Sequence, residues 1–495
     1  MEYMKRSARR RRVAFYERSM FFWPAGLLII AFGVVARLWN IADHPGWEWD
    51  EGVYVYIARN LAQNGLLEFK TDYLAQPEIY AYHPPFHFLL LAQWFKVFGA
   101  GHTQARVFAV LGATITMTLL LILLRKVIGN VWALVGVAII ATDTWLNFSQ
   151  RVAWIENSLI PIGVLGILLY TLAVKKDKTW LYALAGLVAG FAAIYKHIGV
   201  IFLGVIIVHA LLVRKNWRKD LVAILLGFGV IGAYVLAAVQ MFGGVFVHAS
   251  MIQFFRSTGT ESSNGALTSI GTVLGPLLAQ YKIYASTVLL AGAAVILVLY
   301  RLVQIVVRRG RIDAIKNISV LYAWALAATV FFVGLQLRFP HYSMLAFIPL
   351  FCYLVAELSQ HVNWKRGAVR WSLIVLAIGI LASNVFAFQA RYINAGSDSA
   401  LRDVQQFATT SMPLDAKVIA DEATSAVIPQ QFCALWQGKD CIGATYIIKY
   451  TSSTQQFENN NGQQALVDSG TLVYETHGFK ETIQIYKLPK PVTKP

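Results

Sequence analysis

Residues 20–39 read MFFWPAGLLIIAFGVVARLW, and residues 40–51 continue NIADHPGWEWDE. The first segment has the ~20-residue length of a membrane-crossing helix and a single charge, Arg37. The second turns at once polar and aromatic and closes on two adjacent acids, Asp50 and Glu51. An apolar span that hands carboxylates to a membrane interface decides the class of the chain.

The composition agrees. Of 495 residues, 57% are hydrophobic and 14% charged, where a soluble domain carries about 25% charged residues. Further apolar segments fall at 104–124, 131–146, 158–174, 180–195, 198–213, 221–241, 285–307, 318–337, 342–358 and 369–389, which predicts a polytopic α-helical membrane protein of about eleven spans. The pair around Lys196 also reads as one broken helix. The basic segment 1–19 includes Arg9 to Arg12, and the apolar run after it passes Ala36 without a small-residue cleavage site. That reads as an uncleaved first span rather than a secretory leader.

The net charge of +17 does not point to nucleic acid, because the basic residues fall in short clusters between apolar segments. Arg125-Lys126, Lys175 to Lys178, Arg214 to Lys219, Arg308 to Arg311 and Lys365-Arg366 occupy every second connection. This is the positive-inside pattern with a cytoplasmic N-terminus. The alternate connections, expected to face outward, hold most of the remaining ionisable groups. They are 40–103, 147–157, 196–197, 242–284, 338–341 and the tail from 392.

In loop 40–103, Tyr54, Ile57, Ala58 and Leu61 are spaced for one helical face, and the tryptophans and tyrosines around them suit a helix on the bilayer surface. Pro84-Pro85 starts a short apolar piece, 86–98, better placed as re-entrant or interfacial than spanning. Beyond residue 391 the chain alternates like strands at 417–420, 445–448 and 482–486, with a helix at 399–409, so a small extracytoplasmic α/β domain is expected over 391–495. Cys433 and Cys441 sit close together there, suited to a disulfide on that side, while Cys352 reads as buried packing.

Three groups carry candidate chemistry. An acidic pair such as Asp50-Glu51 is more often a solvated turn, but its aromatic neighbours would desolvate a carboxylate toward the range of a general base. Glu156 reads either as a helix-start acid paired with Arg151 or as a second site carboxylate. With Asp50 it would offer the oxygen ligands that Mg2+ or Mn2+ prefers. His83, Arg106, Lys196, His197, Arg338 and His341 individually fit snorkelling cations. Together on one face they suit a phosphate.

Trp49-Asp50-Glu51 with Tyr54, Ala58 to Leu61, His83-Pro84-Pro85, Phe98-Gly99, Arg106, Ser149-Gln150-Arg151 with Glu156, Tyr195-Lys196 and 338–349 resemble the C-type (GT-C) glycosyltransferases. The likeness is strongest to the branch holding protein O-mannosyltransferases and aminoarabinose transferases. It covers 21–389 and leaves the tail uncovered. It implies a catalytic membrane domain over 20–390 in the plasma membrane and a donor sugar on polyprenyl or dolichyl phosphate. The acceptor, a lipid, glycan or protein, would react on the non-cytoplasmic face. It also implies Asp50 as base with Glu51 and Glu156 as further site acids, and Lys196, His197, Arg338, His341 and Arg106 toward the donor phosphate. His83, Tyr54, Tyr82, Arg151 and Tyr342 would touch substrate. The alternative readings are a flippase for lipid-linked sugars and a non-enzymatic assembly subunit acting through its tail.

Overall fold

The computed structural model describes residues 19–45, 49–65, 68–69, 78–79, 83–213, 216–258, 281–307, 318–334, 342–362, 367–389, 400–420, 424, 427–434, 441–452, 461–478 and 481–493. The chain begins with helix α1 (Ser19–Leu38), followed by α2 (Trp49–Asn64), a two-residue hairpin pairing of β1 (Glu68–Phe69) with β2 (Glu78–Ile79), and α3 (Phe86–Phe98). The membrane bundle continues through α4 (His102–Ile128), α5 (Asn130–Thr142), α6 (Thr144–Ser149), α7 (Ile155–Lys176), α8 (Thr179–Tyr195) and α9 (Val200–Val213). It is completed by α10 (Trp217–Thr258), α11 (Tyr281–Val307), α12 (Ser319–Gly334), α13 (Ser343–His361) and α14 (Gly367–Phe388).

Among the described residues six helices are long and apolar enough to cross a membrane: Met20–Leu38, His102–Ile128, Ile155–Lys176, Trp217–Ser250, Tyr284–Val307 and Ser343–His361. The other expected spans are shorter apolar helices, and Phe86–Phe98 is one of these too. Two breaks account for the shortness of α5, α8 and α9. At Asp143 the side chain accepts the Leu146 amide at 2.9 Å and caps α6, which ends the run expected over 131–146, as a capping carboxylate does. At Lys196 the backbone is extended (φ −151°, ψ 136°), and a 3-10 turn at His197–Gly199 leads into α9. Residues 242–258, expected in a loop, extend α10 past a kink at Gly243 (φ 54°), with Phe246 and Ala249 buried.

The bundle has two distinct ends. At one, Lys175 Nζ donates to the Lys126 carbonyl, and Asn216 and Lys219 both reach Asp177 Oδ1 at 2.9 Å, so the basic connections 125–130, 175–179 and 216–219 come together. At the other end lie α2, the segment 143–156 and the break at Lys196. α4 and α7 approach closely here. A Cβ on Gly112 would lie 2.1 Å from the Asn157 carbonyl oxygen. Gly112→Ala is therefore expected to cost about 1–3 kcal/mol through overpacking. Thermal unfolding in detergent would fall for this variant and stay put for Gly204→Ala, whose Cβ meets nothing within 4 Å.

The C-terminal region consists of α15 (Ala400–Thr410), β3 (Lys417–Ala420), β4 (Gln431–Ala434), β5 (Tyr446–Ser452), α16 (Asn461–Ser469), β6 (Thr471–Gly478) and β7 (Glu481–Lys487). Its sheet runs β4-β3-β5-β7-β6, parallel at β3 with β4 and β5 and antiparallel at β7 with β5 and β6. A disulfide joins Cys433 to Cys441, and Cys352 is free and buried.

α2 joins the two parts. Its Val53, Tyr54 and Ile57 belong to the core of the membrane bundle, whereas Val55 and Ala58 belong to the core built on α15 and the sheet. Tyr56 meets Phe432 edge-on at 5.1 Å between centroids. The helix is thus enclosed on both sides rather than laid on a surface with one face bare.

Candidate active site

The two adjacent acids part company because α2 begins at Trp49. Successive residues of an α-helix point about 100° apart, since 3.6 of them make one turn. Glu51 turns inward and is fully buried. Its Oε1 accepts Arg106 Nε at 2.8 Å and the Ala153 amide at 2.8 Å, and its Oε2 accepts Arg106 Nη2 at 2.8 Å and lies 2.9 Å from His102 Nε2. Burial disfavours its charge, but Arg106 and His102 outweigh this and hold the carboxyl well below the usual range. Arg106 spends its remaining reach on the carbonyls of Ile41 and Pro45 at 3.1 and 2.7 Å. This bidentate pair fastens the loop after α1 to α2 and α4.

Arg151 performs a similar task beside it. It is buried and donates to the carbonyls of Ala36, at 3.4 Å, and Trp39, at the C-terminal end of α1. A cation there complements the helix dipole. Arg37, also buried, bonds Gln150 Oε1 at 2.7 Å. Arg106 and Arg151, both named from the sequence, are therefore turned to backbone carbonyls.

Asp50, by contrast, is half-buried and within electrostatic reach of Lys196. Lys196 sits at the break between α8 and the 3-10 turn, 3% exposed, with Nζ 2.6 Å from Oε1 of the buried Glu156. Burial works against its charge, yet Glu156 and the groups around it hold the ammonium above its ordinary range. Two tyrosine rings flank it: Nζ lies 6.0 Å from the Tyr54 centroid and 5.2 Å from that of Tyr342, cation–π geometry. Tyr54 OH is 3.4 Å from His83 Nε2.

Asp50, Tyr54, His83, Glu156, Lys196 and Tyr342, drawn from five separate stretches of chain, are thus brought together. His197 faces outward, exposed. Tyr82, Arg338 and His341 lie outside the described residues. The site also takes in His87 and Ser158, which have no part in the expectations above, and Tyr195, which enters them only through the resemblance at Tyr195-Lys196. His87 is buried on α3, its ring 5.9 Å from that of Tyr54, and its Nδ1 is 2.9 Å from Ser158 Oγ, which also accepts from Tyr195 OH at 2.9 Å. The available signal was proximity: His87 follows the His83-Pro84-Pro85 motif by two residues, at the second position of α3.

A divalent cation on Asp50 and Glu156 does not fit this arrangement. Lys196 Nζ already holds Glu156 Oε1, and an ammonium at that distance repels a metal. Among the described residues no three His, Cys, Asp or Glu side chains converge.

Residues 82–242 match the family model of dolichyl-phosphate-mannose-protein mannosyltransferase. No curated protein matches the chain. Among solved structures, ArnT from Cupriavidus metallidurans bound to undecaprenyl phosphate superposes with a TM-score of 0.62 at 14% identity, over 95% of this chain and 99% of that one. AglB, the oligosaccharyltransferase of Archaeoglobus fulgidus solved with an inhibitory peptide and a dolichol-phosphate, gives 0.57 at 12% identity, over 88% of this chain and 70% of its own. The mycobacterial arabinofuranosyltransferase AftD gives 0.52 at 12%, over 97% of this chain and 40% of its own. The shared architecture is the GT-C fold.

Proposed function

We propose that this multi-pass protein of GT-C fold is a glycosyltransferase that moves a monosaccharide from a polyprenyl- or dolichyl-phosphate donor to an acceptor hydroxyl. The observation that carries this reading is the buried Lys196–Glu156 pair beneath Tyr54 and Tyr342, with Asp50 in electrostatic reach. It provides a desolvated ammonium for a phosphate beside a carboxylate for a proton. The ligands in the ArnT and AglB structures, undecaprenyl phosphate and dolichol-phosphate, support a lipid phosphate.

In this reading the Asp50 carboxylate takes the proton of the acceptor hydroxyl as its oxygen attacks the anomeric carbon. The bond from that carbon to the phosphate oxygen breaks, the lipid phosphate departs with the bond's electrons, and the centre inverts. Lys196 neutralises the charge that gathers on the leaving phosphate, the electrostatic role expected of a preorganised cation. Glu156 holds the ammonium in place. The catalytic end is read as non-cytoplasmic, because the basic connections assemble at the opposite end and the positive-inside rule places those in the cytoplasm. The membrane is read as the plasma membrane, 20–390 as the catalytic domain and 391–495 as an extracytoplasmic domain over it.

The test is covalent transfer by the purified protein in detergent, where no compartments exist and a flippase yields no product. Radiolabelled sugar should move from lipid phosphate to an acceptor; a protein that only binds the donor refutes the proposal. Lys196→Gln should weaken binding of undecaprenyl phosphate about 10–100-fold, since a hydrogen bond to a charged group contributes about 1.5–3 kcal/mol. An unchanged dissociation constant would remove Lys196 from the phosphate site.

A further inference from the structure

His87 is 2% exposed on α3, and its hydrogen bonds fix where its proton sits. Ser158 has one hydroxyl proton and directs it at the Ile155 carbonyl, 2.9 Å away in the same turn of α7. Tyr195 OH donates to Ser158 Oγ at 2.9 Å, the shorter of its two contacts, the other being His87 Nδ1 at 3.4 Å. Ser158 Oγ, 2.9 Å from His87 Nδ1, is left as an acceptor on that side too, so Nδ1 carries the hydrogen. In a neutral imidazole the other nitrogen is then a bare lone pair. Nε2 is buried and has no hydrogen-bond partner among the described residues.

A buried acceptor left unsatisfied costs about 1–3 kcal/mol, and such groups in native proteins call for an explanation. The surroundings supply one. The His87 ring packs edge-on against Tyr54, Phe88, Phe108 and Tyr195, a wall of rings around the imidazole. It also lies within electrostatic reach of Lys196 and Glu156. Tyr54 links the two residues, its ring 5.9 Å from the His87 ring and 6.0 Å from Lys196 Nζ, so a sugar on a phosphate held by Lys196 would be carried toward the ring that His87 packs on. Sugar hydroxyls are donors, and aromatic walls accommodate the apolar faces of a pyranose.

We infer that His87 Nε2 is the acceptor for a hydroxyl of the donor sugar, held in that tautomer by Ser158 and Tyr195. The inference rests on the transferase reading above and gives it a sugar-recognising side chain distinct from the phosphate-binding lysine. Ser158 and Tyr195 act through His87 and are positioning residues.

Two variants separate this role from packing. In His87→Asn the side-chain amide can still donate toward Ser158 while nothing replaces Nε2. In His87→Gln the longer side chain can return an oxygen to the Nε2 position. Dissociation constants are measured for undecaprenyl phosphate and for undecaprenyl phosphate-mannose on folded, purified protein. The expected result is that His87→Asn weakens the mannosyl lipid about tenfold, the worth of one hydrogen bond, leaves the bare lipid phosphate unchanged, and is largely rescued by His87→Gln. Equal loss for both lipids, or no loss for either, overturns the assignment. A wild-type protein that binds neither lipid fails the transferase reading itself. Nitrogen-15 NMR of histidine-labelled protein gives an arm that needs no ligand. The His87 resonance, assigned by its absence from His87→Asn, should show the Nδ1–H tautomer, and an Nε2–H tautomer would overturn the proposal.

Discussion

Replacing Asp50 by Asn is expected to lower sugar transfer by about 10²–10⁴-fold, the range a positioned general base contributes. The protein should remain folded and still bind lipid phosphate. The substitution is nearly isosteric and the side chain is only half-buried, so packing changes little. What is lost, on the proposed mechanism, is the site's proton acceptor. Glu156 cannot replace it while Lys196 Nζ sits 2.6 Å from its Oε1, and Glu51 is committed to Arg106, His102 and the Ala153 amide. The check is single-turnover transfer with the donor saturating, alongside donor affinity. Near-normal turnover in a folded Asp50→Asn protein would remove Asp50 as the base.

The second large effect belongs to the neighbouring acid and is of a different kind. Glu51→Ala should destabilise the protein by about 3–5 kcal/mol, the cost of stranding a buried partner charge, here Arg106. Thermal unfolding in detergent measures it. Arg106→Leu should be similarly damaging, and the pair Glu51→Leu/Arg106→Leu should cost well under the sum of the single changes, because neither strands a charge once both are gone. The acid side of the pH profile follows from the same pair. Since the folded carboxyl is held below its ordinary value of 4.5, its stabilisation is fully present above that pH. It is lost progressively as pH falls below it and the unfolded state takes up the proton first. A Glu51→Ala protein with unaltered unfolding would show that the clamp contributes nothing.

The contrast between these two acids shows where a linear reading stops. That residues 40–51 deliver carboxylates to a membrane interface was legible from hydropathy alone, and the gathering of Asp50, Glu156 and Lys196 followed from counting alternate connections. The division of labour between Asp50 and Glu51 was not legible, because it depends on how α2 is rotated about its axis, which the packing of Val53, Tyr54 and Ile57 into the bundle sets. Cations behave the same way. Arg106, Arg151 and Lys196 look equivalent in sequence, but Arg106 and Arg151 meet carbonyls left by the end of α1 and the turn after it, and Lys196 lies where a helix breaks. Buried acceptors decide which cation is spent on structure, and they are brought there by packing. The strands of the tail divided similarly. β3 and β4 are both four residues long, but Val418-Ile419 gives Lys417–Ala420 the β-branched signature of a strand, which Gln431–Ala434 at the sheet's edge lacks.

The enclosure of α2 between two cores has a consequence for how the protein comes into being. Val53, Tyr54 and Ile57 find their neighbours once the bundle is inserted, but Val55 and Ala58 belong to a core that extends as far along the chain as Ile483 and Ile485. A chain emerging from the ribosome therefore threads its whole bundle into the bilayer with only half of the support for the Asp50 helix in place. The strands that complete that support follow the whole bundle in the chain, so the surroundings of the Asp50 helix are finished only after the bundle itself.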